Sequence, residues 1–182
     1  CCGGNTTTYG ELLAATEAFA GGLASLGIAK GARVAIVLPN CVPFVISYFG
    51  AGRAGASVVP MNVLYRPDEA LHILEDSQAQ AIITAEPFRP LVEAIRPRLP
   101  GLKHVVMVGD GGAQADELGF RALCARKPAP CEPSTDEDEA VILYTSGTTG
   151  RPNGAVLTHR NLIANAISCT GALPVSAEDC FL

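Results

Sequence analysis

The sequence predicts an α/β domain on a doubly wound, mostly parallel sheet, and three observations carry the prediction. Short apolar runs alternate with amphipathic stretches along the 182 residues. The apolar runs are near-continuous, as strands covered on both faces must be, and do not alternate with period two. The composition, 48% hydrophobic and 17% charged, supplies a core, and with aromatics at 5% and no Trp that core falls to Ala, Val, Ile and Leu.

The elements follow in order. Thr8-Tyr9-Gly10-Glu11 has capping-box spacing, with Thr8 as N-cap and Glu11 reaching back. Leu12, Thr16, Phe19, Leu23 and Leu26 then mark one face of a helix ending near Gly27. Arg33-Val34-Ala35-Ile36-Val37-Leu38 reads as a buried strand closed by Pro39-Asn40, and a helix returns from Val42 to about Gly52. Ser57-Val58-Val59-Pro60 is a second strand. Pro67 suits a first helical position, and Asp68 and Glu69 favour the positive end of a helix running to about Asp76. Ala81-Ile82-Ile83-Thr84 and Val105-Val106-Met107-Val108 are the third and fourth strands, with a proline-punctuated helix near Leu91 to Arg98 between them.

From about residue 109 to 139, Gly, Pro and charged residues dominate, and at most a short helix at 120–126 interrupts a loop. Ala140-Val141-Ile142-Leu143-Tyr144 reads as a fifth strand. Ala155-Val156-Leu157 is a brief one, and Thr158 can cap a helix over 160–172.

The net charge of −5 argues against nucleic acid or an anionic membrane as main partner. It also leaves any phosphate site to local backbone N–H groups. The seven cysteines are scattered without a C-x-x-C pair, and His72, His104 and His159 do not complete a zinc set, so thiols in a reducing cytoplasm are expected. No signal-like or membrane-spanning apolar run is present, which points to a cytoplasmic protein. Cys1 is not an initiator Met and the chain stops at Leu182, so a fragment is expected.

Two segments are glycine-rich. Gly50-Ala51-Gly52-Arg53-Ala54-Gly55 matches the dinucleotide fingerprint, but that motif needs a strand before it and a helix after it. Here a helix leads in and a strand leads out, so the expected role is a closely packed helix end. Thr145-Ser146-Gly147-Thr148-Thr149-Gly150 follows a buried strand directly and gathers four hydroxyls and two glycines. Glycines let the backbone turn N–H groups toward phosphate, and hydroxyls add donors or reach Mg²⁺. It is no Walker A loop, because Pro152 and Ala155 stand where the second glycine belongs. A plain Ser/Thr/Gly turn is the other reading of the same residues.

Tyr144-Thr145-Ser146-Gly147-Thr148-Thr149-Gly150-Arg151-Pro152-Asn153-Gly154-Ala155 closely resembles the phosphate-binding loop of the adenylate-forming superfamily. Acyl-CoA synthetases, aryl-CoA ligases, luciferases and peptide-synthetase adenylation domains belong there. Leu157-Thr158-His159-Arg160-Asn161-Leu162 looks most like the acyl- and aryl-CoA ligase branch. Thr8-Tyr9-Gly10-Glu11-Leu12, Val34-Ala35-Ile36-Val37-Leu38-Pro39-Asn40 and Gly55-Ala56-Ser57-Val58-Val59-Pro60-Met61-Asn62 look like its N-terminal region, so the resemblance covers nearly the whole chain.

The resemblance implies the N-terminal part of that superfamily's large domain over residues 1–182, with a phosphate loop at 145–154 and the C-terminal domain absent. It implies activation of a carboxylic acid, expected to be a fatty acid, by ATP to an acyl-adenylate, and transfer to CoA. Thr145, Ser146, Gly147, Thr148, Thr149 and Gly150 would hold the β- and γ-phosphates, and Thr145 would contact Mg²⁺. Where the family carries Lys, this chain has Asn153, a donor without charge. The family's aromatic-Gly-x-Thr-Glu motif, ribose Asp, hinge Arg and catalytic Lys have no counterpart here, so no catalytic residue is assigned and the fragment alone is expected to be inactive. His159 is expected to be a first-turn helix residue and no base. An aryl-CoA ligase, an amino-acid adenylation domain and a non-catalytic nucleotide-binding remnant remain as alternatives.

Overall fold

Apolar runs between helices leave few ways to satisfy their backbone groups, and side-by-side parallel pairing with helices on both faces is the commonest. The computed structural model describes residues 6–109, 113–128, 130–146, 151–173, 176, 178 and 179. Its helices are α1 (Tyr9–Ser25), α2 (Val42–Arg53), α3 (Pro67–Ser77), α4 (Arg89–Ile95), α5 (Phe120–Cys124) and α6 (His159–Ala172). Its strands are β1 (Arg33–Ile36), β2 (Ser57–Pro60), β3 (Ala81–Ala85), β4 (His104–Val108), β5 (Leu118–Gly119), β6 (Glu139–Ser146) and β7 (Pro152–Thr158).

The seven strands form one sheet in the order β5-β4-β3-β1-β2-β6-β7. Every pairing is parallel except β6 with β7. The predicted mostly parallel, doubly wound sheet is therefore present. Strand alternation splits the apolar side chains between two layers. Val34, Ile36, Val58, Ile83 and Val106 face α1, α2 and α5, where Phe19, Leu23, Ile46 and Leu123 meet them. Ala35, Val37, Val59, Ile82 and Val105 face α3 and α4, against Ala70, Leu71, Leu74, Val92 and Ile95. Fully buried side chains of this size each contribute roughly 1.5–3 kcal/mol.

Both expected helix starts are capped by their own sequence. Glu11 N donates to Thr8 Oγ1 at 3.2 Å, and Thr8 N donates to Glu11 Oε2 at 2.8 Å. Thr158 and Asn161 repeat the arrangement at α6, so His159 sits in its first turn. The glycine fingerprint is structural, as its element order implied. A Cβ at Gly50 would stand 2.7 Å from Phe19 Cδ1, so this glycine sets the close approach of α2 to α1. Gly55 holds the turn after α2 at φ +79°.

Two features depart from the sequence reading. The loop-rich connection contributes β5, whose Leu118 and Gly119 pair with Val106 and Met107. Strand β6 also runs on through Thr145 and Ser146, and β7 turns back antiparallel from Pro152. The phosphate-loop candidates are thus split between a strand end and the segment that follows it.

Candidate functional site

Open parallel sheets bind ligands beyond the carboxyl ends of their strands, and β6 delivers its end there. Its entry is fixed by polar contacts. Arg33 Nη2 approaches Glu139 Oε2 at 3.0 Å, Ser57 Oγ donates to the Glu139 carbonyl at 3.0 Å, and Lys30 Nζ pairs with Asp138 at 2.6 Å. Lys30 and the Thr135 amide, as hydrogen-bond donors, hold the Asp138 carboxyl below its ordinary range.

At the other end the antiparallel register sets the candidates against one another. Thr145 lies opposite Asn153, and Ser146 opposite Pro152. Residues directly opposite share a face of the sheet, and both Thr145 and Asn153 are exposed. Gly147, Thr148, Thr149 and Gly150 lie outside the described residues. Arg151, exposed, opens the return toward β7.

The sheet's other face holds contacts that motif reasoning missed. Tyr144 stands opposite Gly154, where an added Cβ would meet Tyr144 Cζ at 2.9 Å and Ile142 Cγ2 at 3.0 Å. The absent side chain leaves room for the Tyr144 ring, whose hydroxyl donates to Asp76 Oδ2 on α3 at 2.6 Å. Burial, then the hydrogen bond to Asp76, pushes the Tyr144 phenol well above its ordinary value. One helical turn earlier, His72 Nε2 lies 3.0 Å from the Pro152 carbonyl oxygen, so Nε2–H donates there. On a polar helix face His72 and Asp76 look like any solvated pair, and no sequence signal separates them.

Among the described residues no three His, Cys, Asp or Glu side chains cluster as a metal site. Exposed hydroxyl and amide groups at a strand's carboxyl end fit neutral donors to phosphate oxygens, with a metal held chiefly by those oxygens. His159 faces another feature, an apolar cavity of about 500 Å³ between α1, α2 and the start of α6, which Tyr48, Phe49 and Leu162 also line. Cys41, Cys124, Cys131 and Cys169 are free thiols, and burial pushes that of Cys124 up to about 11. No helix among the described residues is long and apolar enough to cross a membrane.

Comparison with known proteins gives consistent matches. A family model described as AMP-binding enzyme matches residues 1–182. The long-chain-fatty-acid–CoA ligase FadD13 of Mycobacterium tuberculosis is 36% identical over 173 residues, covering 94% of this chain and 33% of that protein. The crotonobetaine/carnitine–CoA ligase of Salmonella arizonae is 40% identical over 144 residues, 76% of this chain and 28% of its own length. Among solved structures, the anthranilate CoA ligase AuaEII in complex with anthranoyl-AMP superposes with a TM-score of 0.85 at 32% identity. That match covers 90% of this chain and 32% of the other. The chain spans about a third of the length of these relatives.

Proposed function

The chain belongs to the AMP-binding enzyme family, and from that premise we propose that it supplies the ATP phosphate loop of an acid–thiol ligase. In the first half-reaction a carboxylate oxygen attacks the α-phosphorus of ATP. The bond from the α-phosphorus to the α,β-bridging oxygen breaks, pyrophosphate leaves, and an acyl-adenylate remains. In the second, the CoA sulfur attacks the acyl carbon and AMP departs. Donors held toward the leaving phosphates stabilise charge as it develops.

The observation that carries this reading is the position of Thr145 and Ser146, the last residues of β6, at the carboxyl end of a parallel strand and opposite Asn153 and Pro152. Thr145, Ser146, Gly147, Thr148, Thr149 and Gly150 are proposed to hold the β- and γ-phosphates, with Asn153 as a neutral further donor. Mg²⁺ would offset the phosphate charge, with the Thr145 hydroxyl as its protein contact.

The acid proposed is a fatty acid, in keeping with the name of the FadD13 relative. An aromatic acid is the second reading, favoured by the likeness to an anthranilate CoA ligase. A cytoplasmic location, and a small-molecule carboxylic acid, ATP and CoA as partners with no nucleic acid, complete the proposal.

The test is acid-dependent exchange of labelled pyrophosphate into ATP by the intact protein, run with fatty and aromatic acids. Exchange with fatty acids that drops in Thr145→Val is expected. A lack of exchange with any acid would favour a non-catalytic nucleotide-binding remnant. Residues 1–182 alone are expected to give none.

A further inference from the structure

The distal half of the β6–β7 hairpin has little sheet to lean on. Strand β2 pairs with β6 at Val58 and Val141, and from there β2 runs only to Pro60 while β6 runs to Ser146. Strand β7 is the last in the sheet, so among the described residues β6 is its only partner strand. Edge hairpins without lateral support open readily, yet a phosphate loop must hold its donors to within a fraction of an ångström.

Helix α3 is placed to supply the missing support. Ala70, Leu71, Ile73 and Leu74 bury its inner face in the core. Its carboxyl end is tied down by Arg33, whose Nη1 donates to the Ser77 carbonyl at 3.2 Å while the same guanidinium pairs with Glu139 at the start of β6. From this fixed helix two side chains spaced i, i+4 reach the same way. His72 takes the Pro152 carbonyl on β7, and Asp76 takes the Tyr144 hydroxyl on β6. The two grips fall on opposite strands, just before and just after the residue 147–150 segment. Gly154 completes the arrangement by leaving the space that the Tyr144 ring fills.

We infer that His72 and Asp76 are positioning residues that clamp both strands of the hairpin and so set the attitude of the phosphate loop. The part of this inference that concerns catalysis rests on the proposed ligase reading; the clamp itself does not.

The experiment uses the intact protein with His72→Leu, His72→Gln and Tyr144→Phe. Glutamine can place an amide N–H where His72 Nε2–H stands, and Tyr144→Phe removes only a hydroxyl. Amide hydrogen exchange over residues 144–146 and 153–154 should quicken by about fivefold in His72→Leu and Tyr144→Phe. It should stay at the parent rate in His72→Gln, with β1 and β3 unchanged in all three. Steady-state pyrophosphate exchange should lose about tenfold in kcat/KM for ATP in the first two variants. The KM for the acid should stay within about twofold, and His72→Gln should restore the rate. Unchanged amide exchange in His72→Leu, or the same loosening in His72→Gln, overturns the clamp. A loosened hairpin with parent kinetics for ATP overturns its role in positioning the loop. If the parent protein exchanges no pyrophosphate, the ligase reading fails and the amide data alone decide the clamp.

Discussion

Thr145 and Asn153 are cross-strand partners, each one residue in from the turn end of its strand in β6 and β7, with both side chains exposed on one face of the hairpin. Asn153, where the family resemblance implies a Lys, is therefore beside the first hydroxyl of the proposed phosphate loop.

Asn153→Lys in the intact protein is expected to tighten ATP binding about tenfold, or ~1.4 kcal/mol. The loop positions its own donors, and an exposed site lets a long ammonium stem reach outward. The gain is electrostatic and should shrink as salt rises. Isothermal titration at low and high salt checks it, and equal affinities at low salt would make Asn153 only a strand residue.

Gly154→Ala should destabilise the fold by about 1–3 kcal/mol, because its Cβ enters space held by the Tyr144 ring and the Ile142 methyl. Urea titration gives the value. The cost should fall when the same change is made beside Tyr144→Leu, which frees much of that space. Full additivity of the two changes would mean that the hairpin absorbs the clash elsewhere.

A buried pair, Arg89 with Glu117, helps to tie down the connection before β5, beside the more exposed pair of Arg96 with Asp116. Arg89 is 8% exposed, and the side chain of Glu117 is 7% exposed against 63% for its other partner, Glu86. The hydrogen bonds that its guanidinium donates to Glu86 and Glu117 raise Arg89 above its ordinary value. Glu117→Ala is expected to lower the urea midpoint and quicken proteolysis near residues 113–119, whereas Glu86→Ala should do little. Equal sensitivity of the two variants would contradict this ranking.

Acid should weaken the fold partly through Asp138. Its carboxyl is held below the ordinary value of 3.8 by hydrogen bonds from Lys30 and the Thr135 amide. A depressed carboxylate stabilises the native state above its unfolded pKa, and the contribution is lost as pH falls through the folded value. Glu11 and Glu86 are lowered too and act with the same sign. Asp138→Asn should therefore lose less stability than the parent between about pH 5 and pH 3. Thermal melts across that range give the comparison, and parallel acid limbs would remove Asp138 from the account.

What the sequence determined by itself was set by neighbours close along the chain. Apolar runs placed β1, β2, β3, β4 and β6, and Thr8 with Glu11 marked the start of α1 over a span of three residues. The order of helix and strand was enough to dismiss the Gly50–Gly55 fingerprint. The hydroxyl- and glycine-rich run after Tyr144 named the candidate loop. Tertiary structure decided what depended on distant partners. Leu118 and Gly119 are too short a run to announce a strand, and they became β5 only because the edge of β4 lay open to them. The antiparallel return of β7 placed Asn153 opposite Thr145. Asp76 reaches Tyr144 across 68 residues, and His72 reaches Pro152 across 80. A polar side chain on an amphipathic helix carries no local mark of such a partner, because the contact exists only after the core has fixed where the helix lies.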